Sequence, residues 1–81
     1  MVVSVKFFGA QRALTHTREI QVSLSKNGSV GDVFVYLMNC YPELPLREED
    51  VLVTVNKKSS NMNYSLQPDD NIVFLPHIGG G

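Results

Sequence analysis

Ser29-Val30-Gly31-Asp32-Val33-Phe34-Val35-Tyr36-Leu37-Met38-Asn39-Cys40 is the stretch on which the architecture turns. Val30, Val33, Phe34, Leu37 and Met38 stand at i, i+3, i+4, i+7 and i+8, one apolar stripe along a helix. Ser29 is placed to cap the first turn. Asp32, three residues on, returns the bond and sets a carboxylate at the positive end of the helix dipole. Pro42 biases Tyr41 away from helical angles, so the helix closes near Cys40. Only this segment carries a sustained helical period, so the spacing predicts one main helix.

On either side the period falls to two, the signature of half-buried strands. Val3, Val5 and Phe7 alternate with Ser4, Lys6 and Phe8, predicting a strand over Val2–Phe8. Alternation at Ile20, Val22 and Leu24 predicts an antiparallel neighbour over Thr17–Leu24, with Gly9–His16 as an ordered connecting loop. Beyond the helix, Tyr41–Asp50 reads as a loop whose Glu48-Glu49-Asp50 run is a solvated surface. Val51, Val53 and Val55 then mark a third strand over Val51–Asn56, apolar on both faces at its start and therefore expected at the centre of the sheet. Tyr64 and Leu66 suggest a short edge segment, and Pro68-Asp69-Asp70-Asn71 a turn. Ile72–Leu75 is the last strand, stopped by Pro76. This order describes an α+β chain of the β-grasp kind: a mixed sheet of four to five strands covered by one main helix, with the first and last strands parallel neighbours. A ferredoxin-like fold would need a second helix, for which the sequence offers no periodic segment.

Composition excludes several classes. At 81 residues the chain makes one domain with a modest core and little room for an enzyme cleft. An apolar share of 43% and a charged share of 19% are those of a globular protein, and no window approaches a membrane span. The start, Met1-Val2-Val3-Ser4-Val5-Lys6, lacks the basic and apolar regions of a secretory leader, so a cytoplasmic location is expected. A formal charge of −1 gives no basic footprint for nucleic acid. One cysteine, Cys40, with His16 and His77 offers neither a disulfide nor a zinc set, so no metal is expected. Cys40 itself reads as a small buried hydrophobe. Ser29-Val30-Gly31-Asp32 lacks the glycine spacing and lysine of a phosphate loop.

The chain closes on Gly79-Gly80-Gly81, directly after the last strand. Three side-chain-free residues are costly to order and contribute nothing to packing, but they suit a tail that threads a narrow slot and presents its carboxylate. The expected division is a folded domain over 1–78 and a glycine tail over 79–81.

Three segments carry a resemblance to a known family. They are Val5-Lys6-Phe7-Phe8-Gly9-Ala10 with Arg12, Val55-Asn56, and Asp69-Asp70-Asn71-Ile72-Val73-Phe74-Leu75-Pro76-His77-Ile78-Gly79-Gly80-Gly81. On these the whole chain resembles the MoaD and ThiS group of ubiquitin-like sulfur carriers, nearest to its MoaD branch, the small subunits of molybdopterin synthase. The family ending is an apolar strand, usually two prolines, a small apolar residue, a small residue and Gly-Gly. Pro76, Ile78 and Gly80-Gly81 match it; His77 replaces the second proline and Gly79 the small residue.

The resemblance implies a carrier whose reacting centre is the carboxyl of Gly81, with Gly80 and Gly79 giving passage through the partner's slot. A terminal carboxylate is ionised at neutral pH and acylates poorly, so it must be activated. In the family an adenylating enzyme of the MoeB or ThiF kind does so with ATP and magnesium, which belong to that partner. Sulfur from a sulfur-donating protein then displaces AMP to leave a thiocarboxylate. A large subunit of the MoaE kind uses this sulfur to form molybdopterin. The alternatives that share the activation step are a ThiS-like carrier for thiazole synthesis and a ubiquitin-like modifier conjugated through Gly81. By the same resemblance Phe8, Leu75, Pro76, His77, Ile78 and Gly79 form the contact surface beside the tail; Arg12 reads either as a solvated loop arginine or as a pair for an acidic partner surface. Alternation forbids Phe7 and Phe8 from sharing a face, whereas each of Phe7, Phe8, Phe74 and Leu75 alone is equally at home in a core. A lone His77 is a contact residue before it is a general base.

Overall fold

The computed structural model describes residues 1–77. Its elements are β1 (Val2–Lys6), α1 (Ala10–Thr15), β2 (Glu19–Ser23), α2 (Val30–Cys40), β3 (Leu52–Val55), β4 (Lys58–Ser59) and β5 (Asn71–Leu75). The five strands form one sheet in the order β2-β1-β5-β3-β4. β1 pairs antiparallel with β2 and parallel with β5, while β5 pairs antiparallel with β3. First and last strands lie side by side, and α2 covers one face, as expected of a β-grasp sheet. The domain boundary expected after residue 78 lies outside the described residues.

The core follows from the two periodicities. Val3 and Val5 turn inward from β1 and Phe7 from just beyond it, Val22 from β2, Val53 and Val55 from β3, and Ile72 and Phe74 from β5. Against them α2 lays Val30, Val33, Phe34 and Leu37, all buried, with Met38 half-buried at its margin. Phe34 meets Phe74 edge to face at 5.5 Å between ring centroids, and Phe7 meets Tyr41 in the same way at 5.9 Å. Both bonds of the capping box form: Asp32 N–H donates to Ser29 Oγ at 3.3 Å, and Ser29 N–H donates to Asp32 Oδ2 at 2.9 Å.

Four expectations need correction. The Gly9–His16 connection contains a short helix, α1, which periodicity could not find because its buried residues are the polar Gln11 and Thr15. The centre of the sheet is β5, with β3 one place outward. The edge strand is Lys58–Ser59, not Tyr64–Leu66: β3 returns through a two-residue turn at Asn56-Lys57, both at positive φ as a type I′ hairpin demands. Leu66 is instead a core residue, and Ser65 bridges to Ser29. Finally, Cys40 is exposed, at the last position of α2 and off its apolar stripe.

The acidic loop is a solvated surface, as expected. Arg47 lies 2.6 Å from Asp50 and 3.7 Å from Glu49 there, exposed pairs of small energetic value. The turn before β5 is tied down from β3. Asn56 N–H donates to Asn71 C=O at 2.8 Å, and Asn71 N–H donates to Asn56 Oδ1 at 2.9 Å. Asn56 Nδ2 reaches the buried carboxylate of Asp70 at 2.8 Å, which also accepts Gln67 N–H at 2.8 Å. Val55-Asn56 thus fixes where β5 begins, and so the register in which its far end emerges.

Candidate docking site at the end of strand β5

Register decides which side chains meet at the end of the sheet where β5 leaves it. Lys6 stands beside Val73 on the parallel pair, so two residues further Phe8 comes level with Leu75. Leu75 in turn faces Leu52 across the antiparallel pair. All three lie on the face that α2 does not cover, at 46%, 38% and 51% exposure, whereas Phe7 and Phe74 on the other face are 2% and 1% exposed. The three side chains share a concavity of 470 Å³ with Gly9, Pro76 and His77, and its wall is overwhelmingly apolar. Large apolar side chains grouped in water at one end of a sheet make this the candidate docking surface of the domain.

Leu52 was not among the residues expected here. The signal was present as apolar residues on both faces of β3, read as burial in a central strand; the second face is apolar because it belongs to this groove. Gly9 was likewise missed as a lining residue. Arg12 is not a free cation on a loop: it lies on α1, its Nε donates to Phe7 C=O at 3.0 Å, and its guanidinium carbon sits 5.6 Å from the centroid of the Phe8 ring. Such a contact is worth roughly 0.5–1 kcal/mol at an exposed site. Gln11, which the sequence reading passed over, is buried and bonds to both Phe8 N–H and Phe74 C=O.

Pro76 and His77 are exposed and continue the groove in the direction of the tail. Ile78, Gly79, Gly80 and Gly81, the remaining expected site residues, lie outside the described residues. A smaller hollow of 260 Å³ lies at the β4 edge, lined by Val55, Asn56, Lys58, Ser59, Ser60 and Tyr64. It shares no residue with the groove and has a more polar wall. Among the described residues no group of three His, Cys, Asp or Glu side chains comes together as a metal set, and no helix is long and apolar enough to cross a membrane.

Comparison with known proteins bears on the family and the fold. The molybdopterin synthase sulfur carrier subunit of Mycobacterium tuberculosis is 30% identical over 80 residues, covering 98% of this chain and 96% of that one. Among solved structures, the small archaeal modifier protein SAMP1 of Haloferax volcanii superposes with a TM-score of 0.81 at 19% identity, covering 100% of both chains. A chain of the BexX/CysO complex of Amycolatopsis orientalis gives a TM-score of 0.69 at 18% identity, covering 98% of this chain and 99% of that one. These two likenesses concern the fold. The profile of the ThiS family matches residues 5–81, a span that includes the groove, β5 and the glycine tail, and the chain belongs to that family.

Proposed function

We propose that this protein is a sulfur carrier whose Gly81 carboxyl is the reacting group, and that it serves as the small, sulfur-donating subunit of a molybdopterin synthase. The supporting observation is the exposed apolar groove of Phe8, Leu52 and Leu75 that runs into Pro76 and His77, directly before the tail. A carrier without a catalytic side chain of its own must be gripped by the enzymes that modify it, and the grip belongs where the tail departs. The identity to a mycobacterial sulfur carrier subunit favours the molybdopterin pathway.

Two partner-catalysed steps follow. A carboxylate oxygen of Gly81 attacks the α-phosphorus of ATP in a MoeB- or ThiF-like enzyme, with magnesium on the nucleotide, and pyrophosphate leaves. Hydrosulfide, released from the persulfide of a sulfur-donating protein by a thiol reductant that leaves as a disulfide, then attacks the carboxyl carbon. AMP departs with the former carboxylate oxygen, and a thiocarboxylate and a proton remain. A MoaE-like large subunit accepts the charged tail and passes its sulfur to the pterin precursor, with water attacking the acyl carbon to return Gly81 to its carboxylate. Gly79 and Gly80 admit the backbone to each partner's slot, with Ile78 and the groove seated outside it. Arg12, stacked on Phe8, faces an acidic residue of the partner.

Intact mass measurement tests the reading. After incubation with the activating enzyme, ATP and a sulfur donor, a gain of about 16 Da, sulfur for oxygen, is expected. Conjugates of higher mass that survive reduction would instead identify a protein modifier. Copurification with a large synthase subunit separates molybdopterin synthesis from thiazole synthesis.

A further inference from the structure

The parallel ladder between β1 and β5 breaks off one rung before the groove. Ser4 N–H donates to Asp70 C=O at 2.9 Å, and a parallel ladder advances two residues at a time along both strands. The rung after Lys6 would therefore join Phe8 N–H to Phe74 C=O. These are the two groups that Gln11 takes: its Oε1 accepts Phe8 N–H at 3.1 Å, and its Nε2 donates to Phe74 C=O at 2.8 Å. One side-chain amide stands in for a direct backbone bond, in the same donor-to-acceptor sense. A direct rung would hold the strands at about 4.8 Å, whereas an inserted amide holds them further apart while leaving neither backbone group unpaired.

We propose that Gln11 is a positioning residue that sets the spacing between the Phe8 and Leu75 walls of the groove, and thereby the affinity of the groove for the activating partner. This rests on the reading of the groove as the docking surface. Gln11 is only 6% exposed, so its amide is satisfied from within the fold and is held rigidly. Thr15 Oγ1 donates to Gln11 C=O at 2.9 Å, and the return of Arg12 to Phe7 C=O fixes α1 from its other side. The side chain thus transmits the position of α1 to both walls at once. A docking surface benefits from such preorganisation because the partner does not have to order it on binding.

The test compares Gln11→Met, which keeps the volume and removes the amide, and Gln11→Glu, which keeps the acceptor for Phe8 and loses the donor to Phe74, with Leu75→Asp. Each is assayed by ATP–pyrophosphate exchange with the activating enzyme. Gln11→Met is expected to raise the half-saturating carrier concentration about ten-fold, the loss of two ordinary hydrogen bonds' worth of organisation, with kcat within about two-fold of the parent. Gln11→Glu should raise it at least as far, because its buried carboxylate would face the Phe74 carbonyl oxygen. If Leu75→Asp raises half-saturation while a folded Gln11→Met leaves it unmoved, the role of Gln11 is overturned and the docking reading stands. If Leu75→Asp is itself silent, the docking reading falls. Amide exchange on the unsubstituted protein is independent of whether any variant folds: slow exchange of the Phe8 N–H and the Gln11 side-chain protons is expected, and exchange at the rate of a free glutamine overturns the proposal.

Discussion

Gly9 sits at φ 54° and ψ −129°, between the Phe8 wall of the groove and the first turn of α1. A Cβ built there would meet nothing within 4 Å, so the demand is purely conformational: side chains of L-residues avoid this region of backbone space. Gly9→Ala should cost about 1–3 kcal/mol, read as a lowered urea midpoint at unchanged m-value. An alanine variant as stable as the parent would show that the turn relaxes freely. Tyr36 gives a second residue-level prediction. Its phenol is held above the ordinary tyrosine range, chiefly by side-chain hydrogen bonding with Cys40 and by the negative charge of the Cys40 thiolate, with Tyr41 adding to it. A raised folded value favours the protonated form in the native state. The linked stability is therefore present below about pH 10 and lost as pH rises through the folded value. Cys40→Ala should bring Tyr36 back toward about 10, followed by the alkaline titration of its ring carbon in NMR spectra. At this scale the sequence was partly legible. Alternation separated Phe7 from Phe8, but nothing in it placed Arg12 on the Phe8 ring or brought Cys40 to the surface, because both depend on where α1 and the end of α2 lie.

Helix α2 was legible because every local signal in it agrees with its tertiary role: cap, stripe, length and stop. Ser29→Ala removes one half of an observed box and should cost about 1 kcal/mol, whereas Leu37→Ala, emptying a fully buried site, should cost about 2–5 kcal/mol. Against the 5–15 kcal/mol typical of a small domain, the first is tolerated and the second approaches unfolding, so melting temperatures should rank parent, Ser29→Ala and Leu37→Ala in that order. Helix α1 was illegible for the opposite reason. Its inward face is built from the polar Gln11 and Thr15: Thr15 is satisfied by the carbonyls of Gln11 and Thr17, Gln11 reaches Phe74 C=O only when β5 is in place, and Leu14 on the same helix is exposed. The β3–β4 hairpin escaped notice similarly: Asn56-Lys57 carries Lys where glycine usually announces positive φ, and the turn is held by bonds from Asn56 to Asn71 and Asp70.

At the scale of the molecule, the groove exists only because residues far apart in sequence are brought level by the sheet. Phe8 follows β1, Leu52 opens β3 and Leu75 ends β5, and only the order β1-β5-β3 makes them neighbours. That order was read correctly for β1 beside β5, but the apolar second face of β3 has two physical causes, burial between strands or exposure to a partner, and sequence does not separate them. On the proposed function the architecture divides labour: the covered face supplies stability, the open end would supply recognition, and the reacting group belongs to the glycine tail. Substitutions at the two should therefore be separable. Leu75→Asp places a charge on the open face without disturbing Phe74 beneath it, so unfolding should shift by less than about 1 kcal/mol while activation by the partner falls steeply, since the carboxylate must be desolvated on docking. Deleting Gly80-Gly81 should leave both the unfolding midpoint and partner binding through the groove near the parent values, yet abolish the gain of sulfur mass. A truncated carrier that binds its activating enzyme and competes with the intact chain, but never acquires sulfur, is the expected result. A truncated carrier that still acquires sulfur would move the reacting group off the tail and into the folded domain.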